Sequence, residues 1–169
     1  MTVFLANRSN LQARRLHERI GHRLESACSR VQRRIAQPGE PGLYRVVGEV
    51  HARSFLDDEA YPAEAARIEI GFQLQTDGAQ EYYWVNWVEP ERELLVGWHQ
   101  DGTHDSLGPV HVQVDDGTTA VDRRPARFVD SHPLDVLDRR LASLPDAVAA
   151  VEWTDGRPTG IDPASPVVR

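Results

Sequence analysis

Histidine and aspartate side chains concentrate in a short stretch near the middle of the chain. Three His and two Asp fall within the 13 residues from His99 to His111, with His104 between the two ends. Imidazole titrates near pH ~6.5, so each histidine could donate or accept a proton in catalysis. Imidazole and carboxylate are also metal ligands, and His99, His104 and His111 could share an ion. No two of them have the one-turn spacing of a compact helical metal motif, so we expect neither a metal nor another cofactor.

The composition excludes several other kinds of active site. Cys28 is the only cysteine, which rules out disulfides and metal sites built from several thiolates. All 19 basic residues are arginine, so the lysine of a phosphate-binding loop is absent. Neither the Gly-x-Ser-x-Gly motif of serine hydrolases nor the Gly-x-Gly-x-x-Gly motif of dinucleotide-binding folds occurs. Nucleotide-driven chemistry and hydride transfer are therefore disfavoured.

Charge is distributed unevenly along the chain. Residues 1–40 contain eight Arg and three Glu, a net charge of +5, whereas residues 41–169 carry −12 and the whole chain −7. This asymmetry indicates a nucleic acid or an acidic partner near the N-terminus. Arginine in place of lysine, together with an excess of acids, is typical of a GC-rich genome and of halophilic proteins.

The first 37 residues read as a basic amphipathic helix. Apolar side chains recur every three or four residues from Leu16 to Ile35, which predicts a helix beginning at Asn7 or Ser9 and ending near Ala36. A basic edge beside this stripe consists of Arg15, Arg19, Arg23, Arg30 and Arg34. This edge could bind nucleic acid, or it could be a solvated face whose arginine stems cover the core. The narrow stripe could also be the seam of a dimer.

A period of two replaces the helical period after the Pro- and Gly-rich residues 38–42. Alternating apolar and polar residues predict an antiparallel meander of five or six strands, with a hairpin turn at Asp77-Gly78. A closing helix is predicted after a cap at Asp130 or Ser131, broken in two at Pro145. We therefore expect an α+β fold, with an α+β domain over residues 43–153 and a flexible tail over 154–169.

One face of the predicted sheet is unusually polar. It collects Arg45, His51 and Arg53, and His111 joins them if the registers are ordinary. The aromatic strand that begins at Tyr82 leaves one pair of its rings outside the core, unless both faces of the sheet are packed or the outer face is a dimer surface. We take Tyr83 and Trp87 as that pair, because exposed rings beside arginines form a stacking platform for single-stranded RNA.

An aromatic strand, a turn and a second strand come before the histidines in the middle of the chain. The aromatic strand is Glu81–Trp87 and the second strand is Leu94–Trp98. Together with the histidines that follow, over about residues 66–141, they resemble the TumE-like toxins of toxin–antitoxin pairs. Trp98, His104, Pro109 and His111 match positions of the family pattern, whereas Gly97 stands where the family has Arg. Residues 123–141 resemble the family's closing helix. The resemblance implies a small α+β toxin that acts on RNA or translation and is paired with an antitoxin protein.

If the toxin that the resemblance implies is a ribonuclease, the most economical mechanism needs no metal. His51 or His111 would take the proton of the 2′-hydroxyl and His104 would protonate the leaving oxygen. Arg45 and Arg53 would stabilise the charge of the phosphorane.

The alternative hypothesis is a noncatalytic protein that binds a partner or nucleic acid through the arginine-rich helix, as a homodimer or a hetero-complex. No apolar run approaches the length of a membrane span and no signal sequence is recognisable, so we expect a cytoplasmic protein without a membrane partner.

Overall fold

A seven-stranded antiparallel sheet forms the centre of the protein. The computed structural model describes residues 2–37, 43–75, 80–129 and 132–169, with side chains for all of these except 2–10 and 80. The elements are α1 (Thr2–Leu24), β1 (Arg30–Ile35), β2 (Tyr44–His51), α2 (Ala52–Leu56), β3 (Ala65–Leu74), β4 (Gln80–Glu89), β5 (Leu94–Gln100), β6 (His111–Asp115), β7 (Ala120–Pro125), α3 (Pro133–Ala149), β8 (Val151–Thr154) and β9 (Arg157–Ile161). The predicted α+β class is confirmed.

Each strand of the sheet pairs with its neighbour in sequence. The order is β1 to β7 without a crossover, and β8 and β9 form a separate hairpin. This is the predicted antiparallel meander, with seven strands instead of five or six. The predicted turns over 38–42 and at Asp77-Gly78, and the predicted caps Asp130 and Ser131, lie outside the described residues.

The predicted N-terminal helix is too long. The helix begins at Thr2 and ends at Leu24, and residues 30–35 form the edge strand β1. The backbone N–H of Ser29 donates to the carbonyl of Glu49 at 2.8 Å, which starts the pairing of β1 with β2. Ser26, Cys28 and Ser29 are poor helix formers, and pairing with β2 satisfies the backbone groups that follow. The predicted basic edge is therefore divided: Arg30 and Arg34 lie on a strand.

The closing helix is not broken at its proline. α3 runs without interruption from Pro133 to Ala149, with Pro145 inside it. Pro145 cannot donate to the preceding turn, and Ser143, the expected cap of a second helix, donates instead to the carbonyl of Arg139 at 3.0 Å. Leu144, Ala147 and Val148 on either side of the proline are buried in the core, and this packing holds the two halves in line.

The C-terminal segment is folded, which corrects the prediction of a flexible tail. Asp155 and Gly156 both have positive φ, at 51° and 78°, and form the two-residue turn between β8 and β9. Ile161 is fully buried, and its backbone N–H donates to the carboxylate of Asp122 at 3.0 Å. The backbone N–H of Arg169 donates to the carbonyl of Pro125 at 2.8 Å. The segment is thereby attached to β7.

The two faces of the sheet differ in what covers them. α1 and α3 pack on one face, where Ile20, Leu24, Leu137 and Leu144 join one core with the inward side chains of the strands. We call this the covered face. The opposite face carries polar side chains from each of the strands β2 to β7, and we call it the open face. They include Arg45, Glu69, Asn86, His99, His111 and Arg123. Because side chains alternate along a strand, this division separates the residues that stabilise the fold from those available for chemistry.

Candidate functional site

Strand register aligns three side chains across the open face. Trp84 in β4 lies opposite His99 in β5, and His99 lies opposite His111 in β6. Directly opposed residues of antiparallel strands point to the same face, so these rings are neighbours. Asp101 follows the end of β5, and His104 lies in the loop that leads to β6. The sequence cluster is thus also a cluster in space.

The histidine rings are in contact with one another. The ring centroids of His99 and His111 are 5.6 Å apart, and His104 meets the ring of His111 edge-on at 4.9 Å. A ligand atom from each of His99, Asp101 and His111 lies within 4.8 Å of the other two. We call these three residues the His–Asp cluster. His111 is buried, whereas His99, His104 and Asp101 are partly exposed.

Side-chain amides on neighbouring positions orient two of these rings. The Nε2 atom of His99 lies 2.9 Å from Oδ1 of Asn86, and Nε2 of His111 lies 3.4 Å from Oε1 of Gln113. Gln113 donates through Nε2 to Asp115 at 3.0 Å and accepts from Nε of Arg123 at 3.0 Å, so its oxygen faces His111. Because an amide oxygen can only accept, we assign the Nε2–H tautomer to both imidazoles, which leaves the lone pair on Nδ1.

Burial keeps both of these imidazoles neutral at pH 7. The pKa of His99 is lowered to about 4, first by burial and second by the neighbouring His111. Burial also lowers the pKa of His111, although the Asp101 carboxylate opposes this shift. Burial raises the pKa of Asp101, but hydrogen bonds from the backbone and hydroxyl of Thr103 outweigh it and leave that pKa below its usual value. The site presents two neutral imidazoles and one carboxylate.

A pocket of about 480 Å³ adjoins the histidines on the open face. Its walls include the rings of Tyr82 and Trp84, the Arg45 side chain, and His99 with Asp101. Pockets of this volume hold small organic groups, and the aromatic walls offer flat apolar surface beside charge. The arrangement can bind a planar group next to groups that transfer protons or ligate an ion.

Two glycines make room for this arrangement. A Cβ at Gly71, opposite Trp84 in β3, would lie 2.0 Å from Cζ2 of the indole, so the ring occupies the space above the glycine. A Cβ at Gly97 would lie 2.3 Å from Oδ1 of Asn86, the atom that accepts from His99. Both glycines are needed for close approach, and Gly97 is one of the positions that depart from the toxin-family pattern.

Three of the five predicted catalytic residues lie at this site. His104 and His111 touch, and Arg45 lines the adjoining pocket. His51 is at the far end of β2, where it pairs with Ala65 and receives a hydrogen bond from, or donates one to, Ser54. Arg53 belongs to α2, and its Nε donates to the carbonyl of Tyr61 at 2.9 Å. The expectation that His51 and Arg53 share a site with His111 is wrong, because the strand ends at His51.

The predicted stacking pair lies in the core. Tyr83 and Trp87 are 2% and 0% exposed. The Tyr83 hydroxyl accepts from Arg140 at 3.2 Å, and Trp87 Nε1 donates to Glu89 at 2.7 Å. The aromatic rings of the open face are those of Tyr82 and Trp84. The alternation of side chains along β4 assigns the two pairs of rings to opposite faces, as predicted. The helices cover Tyr83 and Trp87, the pair that we expected to be exposed.

The predicted arginine surface is not one surface. Arg15 and Arg19 are exposed on α1, and Arg23 forms an ion pair with Asp138 of α3. On β1, Arg30 lies 3.9 Å from the Glu49 carboxylate, and Arg34 donates to Gln32 at 3.1 Å. The helix arginines belong to the element that covers the sheet, so they are on the other side of the sheet from the pocket.

The sequence assigns no specific role to the residues that support the histidines. Asp101 belongs to the predicted His- and Asp-rich stretch and Gln113 to the predicted polar face, whereas Asn86, Arg123 and Trp84 were not expected at the site. The available signal was a polar residue at alternate positions of otherwise apolar strands, as in Trp84-Val85-Asn86 and His111-Val112-Gln113. That pattern marks a polar face, but it does not say which polar residues touch across strands.

Comparison with known proteins found no match: no protein-family model, curated protein or solved structure matches this chain. The resemblance to TumE-like toxins therefore stays a prediction carried by the quoted residues, two of which, His104 and His111, lie at the site. Among the described residues, no helix is long and apolar enough to cross a membrane.

Proposed function

We propose that this protein acts on RNA in the cytoplasm as the toxin-like component of a toxin–antitoxin module, with an antitoxin protein as its partner. The observation that carries the proposal is the position of the aromatic pocket directly beside the histidines on the open face. A site for a nucleobase next to groups that can move protons is what cleavage of a single-stranded RNA requires.

Binding would use the side chains that line the pocket. A base would stack on Trp84 or Tyr82, because aromatic stacking holds unpaired bases without regard to sequence and contributes about 1–3 kcal/mol per base. Arg45, a quarter exposed and 3.9 Å from the Glu69 carboxylate, would contact the phosphate. The overall charge of −7 disfavours nonspecific binding over the whole surface, so contacts in the pocket would supply most of the affinity.

Cleavage would proceed by attack of the 2′-hydroxyl on the adjacent phosphorus. In the metal-free route, Nδ1 of His111 takes the hydroxyl proton, the bond from phosphorus to the 5′ oxygen breaks, and His104 protonates that oxygen. The product is a 2′,3′-cyclic phosphate. His104 suits the acid role because it is partly exposed, and in the described part of the chain no hydrogen bond holds its ring. Arg45 would stabilise the charge of the phosphorane.

The test is induction of the protein in a heterologous host, with growth and pulse-labelled translation as the measurements. Wild type should stop translation, and the His104→Ala variant should not. His22→Ala is the matched control, because His22 is an exposed histidine on α1 that lies away from the open face. Purified protein incubated with single-stranded RNA should leave 2′,3′-cyclic ends only when His104 is present. An equal effect of wild type and His104→Ala would contradict the proposal.

A further inference from the structure

We propose that the His–Asp cluster, formed by His99, Asp101 and His111, binds a divalent transition-metal ion. Two imidazole nitrogens and one carboxylate oxygen form a common three-residue ligand set for zinc and for non-haem iron. This inference deepens the proposed function, and rests on it only for the catalytic consequence; ion binding is tested by itself.

The ligand atoms are close enough to converge on one ion. They lie within 4.8 Å of one another, and ligands on a shared ion with bonds of ~2.1 Å lie about 3–3.5 Å apart. Side-chain rotations that move the ligand atoms by about 1 Å would bring all three within bonding distance of one ion. Asp101 is partly exposed at the end of β5, in a loop that can adjust, whereas His99 and His111 stand on paired strands. The strands therefore fix two ligands and the loop brings the third.

The hydrogen bonds that His99 and His111 make through Nε2 are of the kind that metal-binding histidines make through the nitrogen that does not hold the ion. Such a ligand donates its second ring N–H to a carbonyl or carboxylate, which fixes the tautomer and the ring orientation. His99 has this partner in Asn86, and His111 has it in Gln113. Gln113 is itself held by Arg123 and Asp115, so its oxygen cannot turn away. A histidine that serves only in packing does not need a hydrogen-bond acceptor that other side chains hold in one orientation.

The donor set also selects the kind of ion. Imidazole with a carboxylate favours zinc, iron, cobalt or nickel over magnesium and calcium, which prefer oxygen ligands throughout. The pocket beside His99 leaves one side of the cluster accessible to water or to a substrate oxygen. A bound ion lowers the pKa of such an oxygen. It would then replace His111 in activating the 2′-hydroxyl, whose proton passes to solvent, while His104 still protonates the leaving oxygen.

The experiment uses the full chain without a histidine tag, after treatment with a chelator. A titration with zinc, monitored by calorimetry, should give one site per chain. Cobalt bound in the same site should produce the visible absorption bands of an ion with a low coordination number. His99→Ala and His111→Ala should each weaken zinc binding by more than the roughly 10–100-fold that loss of an outer partner costs. His51→Ala should bind as wild type does, because His51 is an exposed histidine at the other end of the sheet. Magnesium should not compete.

Two further variants keep the test independent of folding. Asp101→Asn removes the charge with little change of shape, and Asn86→Ala removes only the outer partner of His99. Both should keep the far-ultraviolet circular dichroism of wild type, retain one site and bind zinc more weakly. Zinc bound equally well by His99→Ala, His111→Ala and His51→Ala would overturn the site, as would wild type that binds no zinc.

Different experimental results would contradict the metal site and the proposed function. A wild type that binds zinc through these residues but leaves RNA and translation unaffected keeps the metal site and contradicts the RNA-directed function. A toxin that depends on His104 and works in the presence of a chelator keeps the function and overturns the catalytic role of the ion, whereas the zinc titration decides whether the site exists.

Discussion

The two faces of the sheet use buried histidine in opposite ways. On the covered face, His17 of α1 is fully buried and uses both ring nitrogens. Its Nδ1–H donates to the Ala13 carbonyl at 2.6 Å, and its Nε2 accepts the backbone N–H of Phe72 at 3.1 Å. On the open face, His99 and His111 engage Nε2 with an amide oxygen. A histidine that forms hydrogen bonds through both ring nitrogens supports the fold. A histidine that keeps a lone pair on one ring nitrogen can bind an ion or accept a proton.

The largest effect on stability is expected from His17. His17→Ala removes a buried ring that joins α1 to β3 and leaves the Phe72 N–H without its acceptor, so the free energy of unfolding should fall by about 2–4 kcal/mol. His99→Ala should cost less in stability, because the open face is partly solvated there. Urea denaturation of both variants measures the difference. A larger loss for His99→Ala than for His17→Ala would contradict the comparison.

The next effect concerns the glycine beneath Trp84. Gly71→Ala places a methyl group where the indole ring lies, so Trp84 must move and the pocket must change shape. We expect a loss of about 1–3 kcal/mol in the free energy of unfolding, and a shift in tryptophan fluorescence. Gly21→Ala in α1 is the matched control, because a Cβ there would lie 3.8 Å from its nearest neighbour, Cγ1 of Val31 in β1, which is an ordinary van der Waals contact.

Gly21→Ala should be neutral or slightly stabilising, by up to about 1 kcal/mol. Equal stability of the two alanine variants would show that the indole does not occupy the space above Gly71, and the aromatic wall of the pocket would then have to be placed elsewhere.

The pH dependence follows from three histidines whose pKa is lowered in the folded state. Burial lowers the pKa of His17, of His99 to about 4, and of His111. Below pH ~6.5 the unfolded chain takes up protons that the folded chain excludes, so stability is full above that pH and falls as the pH drops toward 4. For His99, the fall in pKa from ~6.5 to about 4 corresponds to a loss on the order of 2–3 kcal/mol by pH 4.

Thermal or urea unfolding between pH 7 and pH 4 measures this loss. His99→Gln, which cannot titrate, should flatten the dependence, whereas replacement of the exposed His22 by Gln should leave it unchanged. A profile that is the same for wild type and His99→Gln would mean that His99 does not stay neutral in the fold.

The sequence predicts the sheet better than it predicts the helix boundaries, for a physical reason. In β3, Ile68, Ile70 and Phe72 recur every second residue, a spacing that no helix face produces. Val31 and Ile35 are four residues apart, and that spacing fits one face of a helix and one face of a strand equally well. The pairing with β2 decides between them, and pairing is not a local property of residues 30–35.

Only part of the site could be predicted from the sequence, because its contacts depend on the register between β5 and β6. The sequence indicates that His99, His104 and His111 are close in the chain, but the contact of His99 with His111 is set by how many residues the loop between β5 and β6 contains and how they fold. A register shift by one residue would turn His111 toward the covered face. His51 and Arg53 do not reach the site for a different reason: β2 ends at His51, and Arg53 lies in α2.

The smallest effect on stability is expected on α1. Arg15 and Arg19 are exposed, so the double variant Arg15→Ala/Arg19→Ala should change the free energy of unfolding by no more than about 0.5 kcal/mol. If the open face carries the function, this variant should also stop translation as wild type does. Loss of that effect, with His104→Ala still active, would favour the noncatalytic protein that binds through its arginine-rich helix. The variant thus decides which side of the sheet carries the proposed function, because α1 and the pocket lie on opposite faces.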